Sequence, residues 1–182
     1  CNAGYTTFSN KMDNQLRTMP TLNHVFSGGN SGGFNCNYGA GAGWGNITGG
    51  HKAGKNTIVV ANLDSIDGLN ASSSRGPAHD GRIKPDVAAV GTEVLSTRPD
   101  NTYERSTGTS MSAPGVAGVL AQLYHAYESN NGGMTPDGGL MKCILLNGAD
   151  DIGNTGPDFK HGYGRVNAGK SIETVSYTHL RA

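Results

Sequence analysis

The 182-residue chain carries no excess charge of either sign, with 14 basic and 14 acidic side chains. Such a balance leaves no electrostatic footprint for nucleic acid or an anionic membrane face, and neither is expected as a partner. No run of residues is long and apolar enough to cross a bilayer. No stretch recurs at a fixed period, which argues against solenoids, propellers and a repetitive structural protein. Acidic residues do not gather at the spacing of a calcium loop; Asp150, Asp151 and Asp158 are scattered candidates. Hydrophobic residues make up only 35 % of the chain, whereas glycines number 29. That pairing describes long ordered loops around a modest core, within one domain or a large part of one. Three cysteines, Cys1, Cys36 and Cys143, cannot all pair internally. Cys143, among Leu140, Ile144, Leu145 and Leu146, is expected as a small buried hydrophobe. Cys1 and Cys36 either bond to each other or stay free.

What the chain does have is Gly108-Thr-Ser-Met-Ser-Ala-Pro114, running directly into Gly115-Val116-Ala117-Gly118-Val119-Leu120. Val116, Val119, Leu120, Leu123 and Tyr127 recur at helical spacing, so a helix with one buried face begins here. Ser110 then stands at the helix start, where the first N–H groups lack internal partners and carry the positive end of the peptide dipoles. An ordinary serine there is a cap worth about 1 kcal/mol and does no chemistry. Gly108 permits an unusual turn, and Pro114 is tolerated only near a helix start, so this segment is more particular than a cap. A hydroxyl so placed can attack a carbonyl whose oxygen then becomes negative. A second segment, His24-Val-Phe-Ser-Gly-Gly-Asn-Ser-Gly32, reads as a buried strand breaking into a glycine loop. Asn30 falls just beyond the strand's carboxyl end, where open parallel sheets place their sites, although Asn-Ser-Gly is also ordinary turn chemistry.

The first segment resembles the nucleophile motif of the subtilisin-like serine proteases (subtilases), and the second resembles their Gly-Asn oxyanion loop. The resemblance implies Ser110 as nucleophile and, through its N–H, as one oxyanion donor, with the Asn30 amide as the other. Ser27, Gly28 and Gly29 are the expected substrate-binding stretch. Ser72-Ser-Ser-Arg-Gly-Pro77, Lys84-Pro-Asp-Val-Ala-Ala89, Val94-Leu-Ser-Thr97 and Gly162-Tyr-Gly-Arg-Val-Asn-Ala168 follow in the family's order, with a loop-fixing Arg75 and a packed Asp86. Roughly residues 1–175 are covered. The implied fold is α/β: three layers, with a mostly parallel sheet flanked by helices, N-terminally truncated.

A serine nucleophile needs a base and an orienting carboxylate. The family supplies both upstream, in His-Gly-Thr-His and Asp-Ser/Thr-Gly settings. None of His24, His51, His79, His125, His161 and His179 stands in such a setting, nor do Asp64, Asp67 and Asp86. Truncation is the expected explanation, and the 182 residues are expected to be inactive alone. His51, His79 and His161 are expected solvated in loops, His24 in the strand. Val90 stands where the family has proline, and Gly49-Gly-His-Lys52 lacks its Tyr-Pro, so the preferred side chain at the cleaved bond is left unassigned.

The coarse reading places helices at Phe8–Met19 (Met12, Leu16 and Met19 inward), from a Thr135 cap to Asn147, and at Val166–Val175. Strands are placed at Leu22–Ser27, Thr57–Ala61, Asp86–Val90, Val94–Thr97 and Tyr103–Ser106. Tyr38 and Trp44, in the Gly28–Gly54 loop, either line substrate subsites or pack the loop. Residues 176–182 resemble translated adapter read-through and are read as a foreign tail. The resulting expectation is a secreted or cell-surface, monomeric serine endopeptidase acting on polypeptides, with calcium possible by resemblance. A non-catalytic scaffold of the same fold that binds peptides or proteins is the alternative.

Overall fold

A computed structural model of the chain describes residues 1, 4–37 and 40–179. In chain order it contains α1 (Thr7–Thr18), β1 (Val25–Ser27), β2 (Ile58–Leu63), β3 (Val87–Val90), β4 (Val94–Arg98), β5 (Thr102–Ser106), α2 (Thr109–Asn130), α3 (Gly138–Asn147) and α4 (Ala168–His179). Strands β1, β2 and β3 form a parallel sheet in that order, Val25 facing Ile58 and Val60 facing Val87. Every residue of β2 is buried, as expected of a central parallel strand covered on both faces. Strands β4 and β5 form a separate antiparallel hairpin.

Alternation along the strands sorts side chains to two faces. Ile58, Val60, Val87 and Ala89 meet Val116, Leu120 and Leu123 of α2, Met141, Ile144 and Leu145 of α3 and Val175 of α4. Ala61, Leu63 and Ala88 face the other way, onto Leu69 and Ile152. On that second face Phe26 packs on His51, ring centroids 4.5 Å apart, and His51 meets Phe8 of α1 edge-on at 6.1 Å. The sheet therefore lies between helices, and the α/β expectation holds.

Several local expectations need correction. The first strand is shorter than Leu22–Ser27, because only Val25–Ser27 find ladder partners; Leu22 instead closes a turn onto the Met19 carbonyl, and His24 precedes the strand. Helix α1 buries Ser9 and Asp13, while Met19 is exposed. Its inward face is polar because it holds loop backbone: Ser9 donates to the Gly50 carbonyl, and Asp13 accepts from the N–H groups of Lys55 and Asn56 and from the Tyr5 hydroxyl. Helix α3 is capped by Asp137, whose carboxylate accepts from Gly139 N–H at 2.7 Å, while Thr135 donates to Glu128. Its buried stripe runs through Met141, Ile144 and Leu145; Cys143 lies off that stripe and is exposed. Helix α4 starts at Ala168 and continues through Ser176–His179, and Leu180–Ala182 lie outside the described residues. Trp44 is flanked by Arg75 and Lys160, 5.8 and 5.7 Å from the ring centroid, both from outside its own loop; Tyr38 lies outside the described residues. Cys1 and Cys36 form a disulfide, closing the loop that contains α1 and β1.

Candidate active site

The loop after β1 and the first turn of α2 meet although about eighty residues separate them. Gly108, the N-cap residue, has no side chain and so offers no cap of its own. Asn30 supplies one from across the fold: its Oδ1 accepts from Thr109 N–H at 3.0 Å and from Thr109 Oγ1 at 3.1 Å. A backbone N–H can only donate, so the atom facing it must be the amide oxygen, which leaves Nδ2 as the donor end of Asn30. The fully buried Thr109 is the clamp, since its Oγ1 also accepts from Gly29 N–H at 3.1 Å. A Cβ on Gly108 would come 3.1 Å from Asn30 Nδ2, a tight contact at the donor end of the clamped amide.

Ser110 is the second residue of α2 and is exposed. It faces an open cleft of about 430 Å³, lined by Val25, Phe26 and Ser27 on one side and Ala113, Pro114 and Ala117 on the other. Pro114 lacks the N–H that would bond the Ser110 carbonyl, so the backbone at Ser110 is only partly tied into the helix. The strand side is anchored by Gly28 N–H to the Val60 carbonyl at 2.8 Å and by Ser31 N–H to Ser74 Oγ at 3.0 Å. The fold thus brings Ser27, Gly28, Gly29, Asn30 and Ser110 together. Thr109 was missed as a site residue; its place between glycine and Ser110, with a buriable hydroxyl, was the available signal.

The described histidines are engaged elsewhere. His24 pairs with Gln15, and His51 stacks on Phe26, where burial first and Lys52 second hold its pKa below the ordinary value. His125 lies about four turns along α2. His161 is buried rather than solvated, its Nδ1 3.2 Å from Asp158, in the turn before Gly162. His79 is exposed, and His51 is half-buried rather than solvated. Among the described residues no histidine hydrogen-bonds to Ser110.

The acidic calcium candidates have internal partners. Asp150 accepts from Lys170, Arg165 and Asn167, in that order of influence, which pulls its pKa well below the carboxylate range. Asp158 accepts from the Lys160 and His161 N–H groups, and Asp151 from Gly156 N–H. Among the described residues no three His, Cys, Asp or Glu side chains gather to hold a metal. Those three carboxylates therefore do not fit a calcium cage.

Comparison with known proteins agrees with this geometry. The family model described as the subtilase family matches residues 1–164. The C5a peptidase of Streptococcus pyogenes is 38 % identical over 117 residues, 60 % of this chain and 10 % of that protein. Thermitase of Thermoactinomyces vulgaris is 35 % identical over 118 residues, 65 % of this chain and 37 % of its own length. The solved CspB protease of Clostridium perfringens superimposes with a TM-score of 0.67 at 27 % identity, covering 74 % of this chain and 30 % of that one. The chain thus spans between a tenth and about two fifths of the curated relatives it matches. A serine exposed at a helix start, an asparagine clamped beside it across the fold and a family match over nine tenths of the length place this chain in the subtilase family of serine proteases.

Proposed function

We propose that this chain carries the nucleophile and oxyanion donors of a serine endopeptidase that hydrolyses polypeptides through an acyl-enzyme. The observation that carries the reading is the Thr109 clamp on Asn30 Oδ1, which leaves the amide Nδ2 and the Ser110 N–H as donors beside one exposed hydroxyl. Ser110 Oγ attacks the scissile carbonyl while a base takes its proton. The carbonyl oxygen becomes negative between the two donors, which are fixed before the reaction and need no reorganisation. The base returns the proton to the leaving amine, and water then releases the acyl group from Ser110. The reaction requires a base at Ser110 and a carboxylate to orient it, and among the described residues no histidine hydrogen-bonds to Ser110. Protein sorted to an oxidising compartment, secreted or at the cell surface, fits the Cys1–Cys36 disulfide. The working unit in this reading is a monomer, and the chemistry at Ser110 uses no metal.

A fluorophosphonate probe applied to the whole protein containing this chain tests the assignment. Labelling at Ser110, lost in Ser110→Ala together with peptide hydrolysis, is the expected result; hydrolysis that survives the substitution overturns it. The non-catalytic scaffold draws support from one observation, the lack of a described histidine at Ser110. It predicts no labelling even of the whole protein.

A further inference from the structure

Among the described residues, the buried and half-buried Lys and Arg side chains are met by an anion, a carbonyl or an aromatic face, with one exception. Lys84 and Lys142 meet Asp86, Arg82 meets Asp80, Arg165 meets Asp67 and Asp150, and Arg75 and Lys160 flank Trp44. Lys52, in the 3-10 turn Gly50–Ala53, has no such partner for its ammonium among the described residues. Burial pushes its pKa below the ordinary 10.5, the direction expected of a cation with no anion beside it. Its location is specific. A Cβ placed on Gly29 would come 2.9 Å from Lys52 Nζ and 2.9 Å from Ser74 Oγ, so the ammonium lies directly against the loop that carries Asn30. The neighbouring His51 ring covers Phe26, a residue of the cleft that Ser110 faces.

We infer that Lys52 is a specificity-determining residue that selects an acidic side chain, glutamate above all, on the acyl side of the bond cleaved at Ser110. The inference rests on the reading of Ser110 and Asn30 given above. A peptide whose carbonyl oxygen lies between Ser110 N–H and Asn30 Nδ2 runs its preceding residue along Ser27–Gly29. That residue's side chain is then within reach of the backbone at Gly29, against which the Lys52 ammonium lies. A carboxylate there gains a charge-assisted hydrogen bond and gives the half-buried cation the partner it lacks. Glutamine has nearly the same shape and no charge, so comparing the two isolates the effect.

The test is cleavage-site profiling of the whole protein on a proteome-derived peptide library, read by mass spectrometry, with fluorophosphonate labelling as a parallel readout. We expect kcat/KM for glutamate before the cut to exceed that for glutamine by about tenfold or more, one charge-assisted contact. The ratio should fall toward one in Lys52→Met, persist in Lys52→Arg and reverse toward basic residues in Lys52→Glu. Cleavage without preference for glutamate over glutamine in the unmodified protein overturns the inference on Lys52 and leaves the nucleophile assignment standing. So does a preference that Lys52→Met retains, or labelling at Ser110 with no cleavage after acidic residues. Neither labelling nor cleavage overturns both readings.

Discussion

Replacing Asp86 by asparagine should be among the most damaging conservative changes in this chain, for a reason that can be counted in charges. Asp86 Oδ2 accepts from Lys84 Nζ at 2.5 Å and from Val59 N–H at 2.8 Å, and Oδ1 lies 3.0 Å from Lys142 Nζ. Both ammonium groups also donate to the Thr57 carbonyl, at 2.9 and 3.1 Å. Lys84 is 1 % exposed, so water cannot take over for a lost partner. Two positive charges thus share one negative charge beneath the sheet edge. Burial, as the largest influence, pulls the Lys84 pKa below 10.5 in spite of Asp86. The asparagine variant keeps shape and some acceptor capacity but leaves two like charges, buried Lys84 and half-buried Lys142, facing each other. Unpairing a buried ion costs about 3–5 kcal/mol, and two unit charges 4 Å apart repel by about 4 kcal/mol at an effective dielectric constant of 20. Lys84→Met instead leaves a balanced pair of Asp86 and Lys142 around the same carbonyl, and should cost less than half as much. Thermal unfolding in a Ser110→Ala background, which prevents self-cleavage, reads the difference. For a domain of this size Asp86→Asn corresponds to a fall in Tm on the order of 6–20 °C. Equal destabilisation by Asp86→Asn and Lys84→Met would refute the charge-count argument.

Four further outcomes follow from the same geometry. Asn30→Ala should lower kcat about a hundred- to a thousandfold with KM little changed, the cost seen when a subtilisin loses such a donor; steady-state kinetics of the whole protein checks it. Thr109→Val removes one hydrogen bond to Asn30 and one to Gly29, and should lower kcat about tenfold through lost positioning, while labelling at Ser110 persists. Asp150, held below its ordinary 3.8 by Lys170, Arg165 and Asn167, binds protons more readily unfolded than folded. Its contribution is therefore full above pH 3.8 and lost as pH falls, so Asp150→Asn should flatten the acid limb of a stability profile. The Cys1–Cys36 bond closes a loop with a sequence separation of 35 and should contribute about 4 kcal/mol by chain entropy, read as a lower denaturation midpoint after reduction.

Periodicity made the sheet and α2 legible. The β-branched run around Val59 and the stripe through Val116, Leu120 and Leu123 name the two faces that pack together. Ser110 and Asn30 could be singled out because their short motifs resemble those of the subtilases; Asn-Ser-Gly by itself reads as turn chemistry. What stayed hidden depends on long-range partners. The polar inner face of α1 makes sense only once the backbone at Lys55 and Asn56 is seen above Asp13. The exposure of Cys143 is a matter of one step around a helix whose apolar residues run nearly all round. The Thr109 clamp and the solitary Lys52 likewise require knowing which loops meet. Asp137 rather than Thr135 capping α3 is a choice between two adjacent good caps, decided by the position of Glu128.

The clamp between Thr109 and Asn30 joins residues 79 positions apart, and the one from Gly29 to Thr109 spans 80. Neither bond can form until β1, β2 and the start of α2 have docked, since a loop of that length closes only at an entropic cost repaid by packing. A nascent or partly unfolded chain therefore carries the serine without the aligned donors. Alignment of the Asn30 amide beside Ser110 is thus a product of tertiary docking, and neither local motif can achieve it by itself.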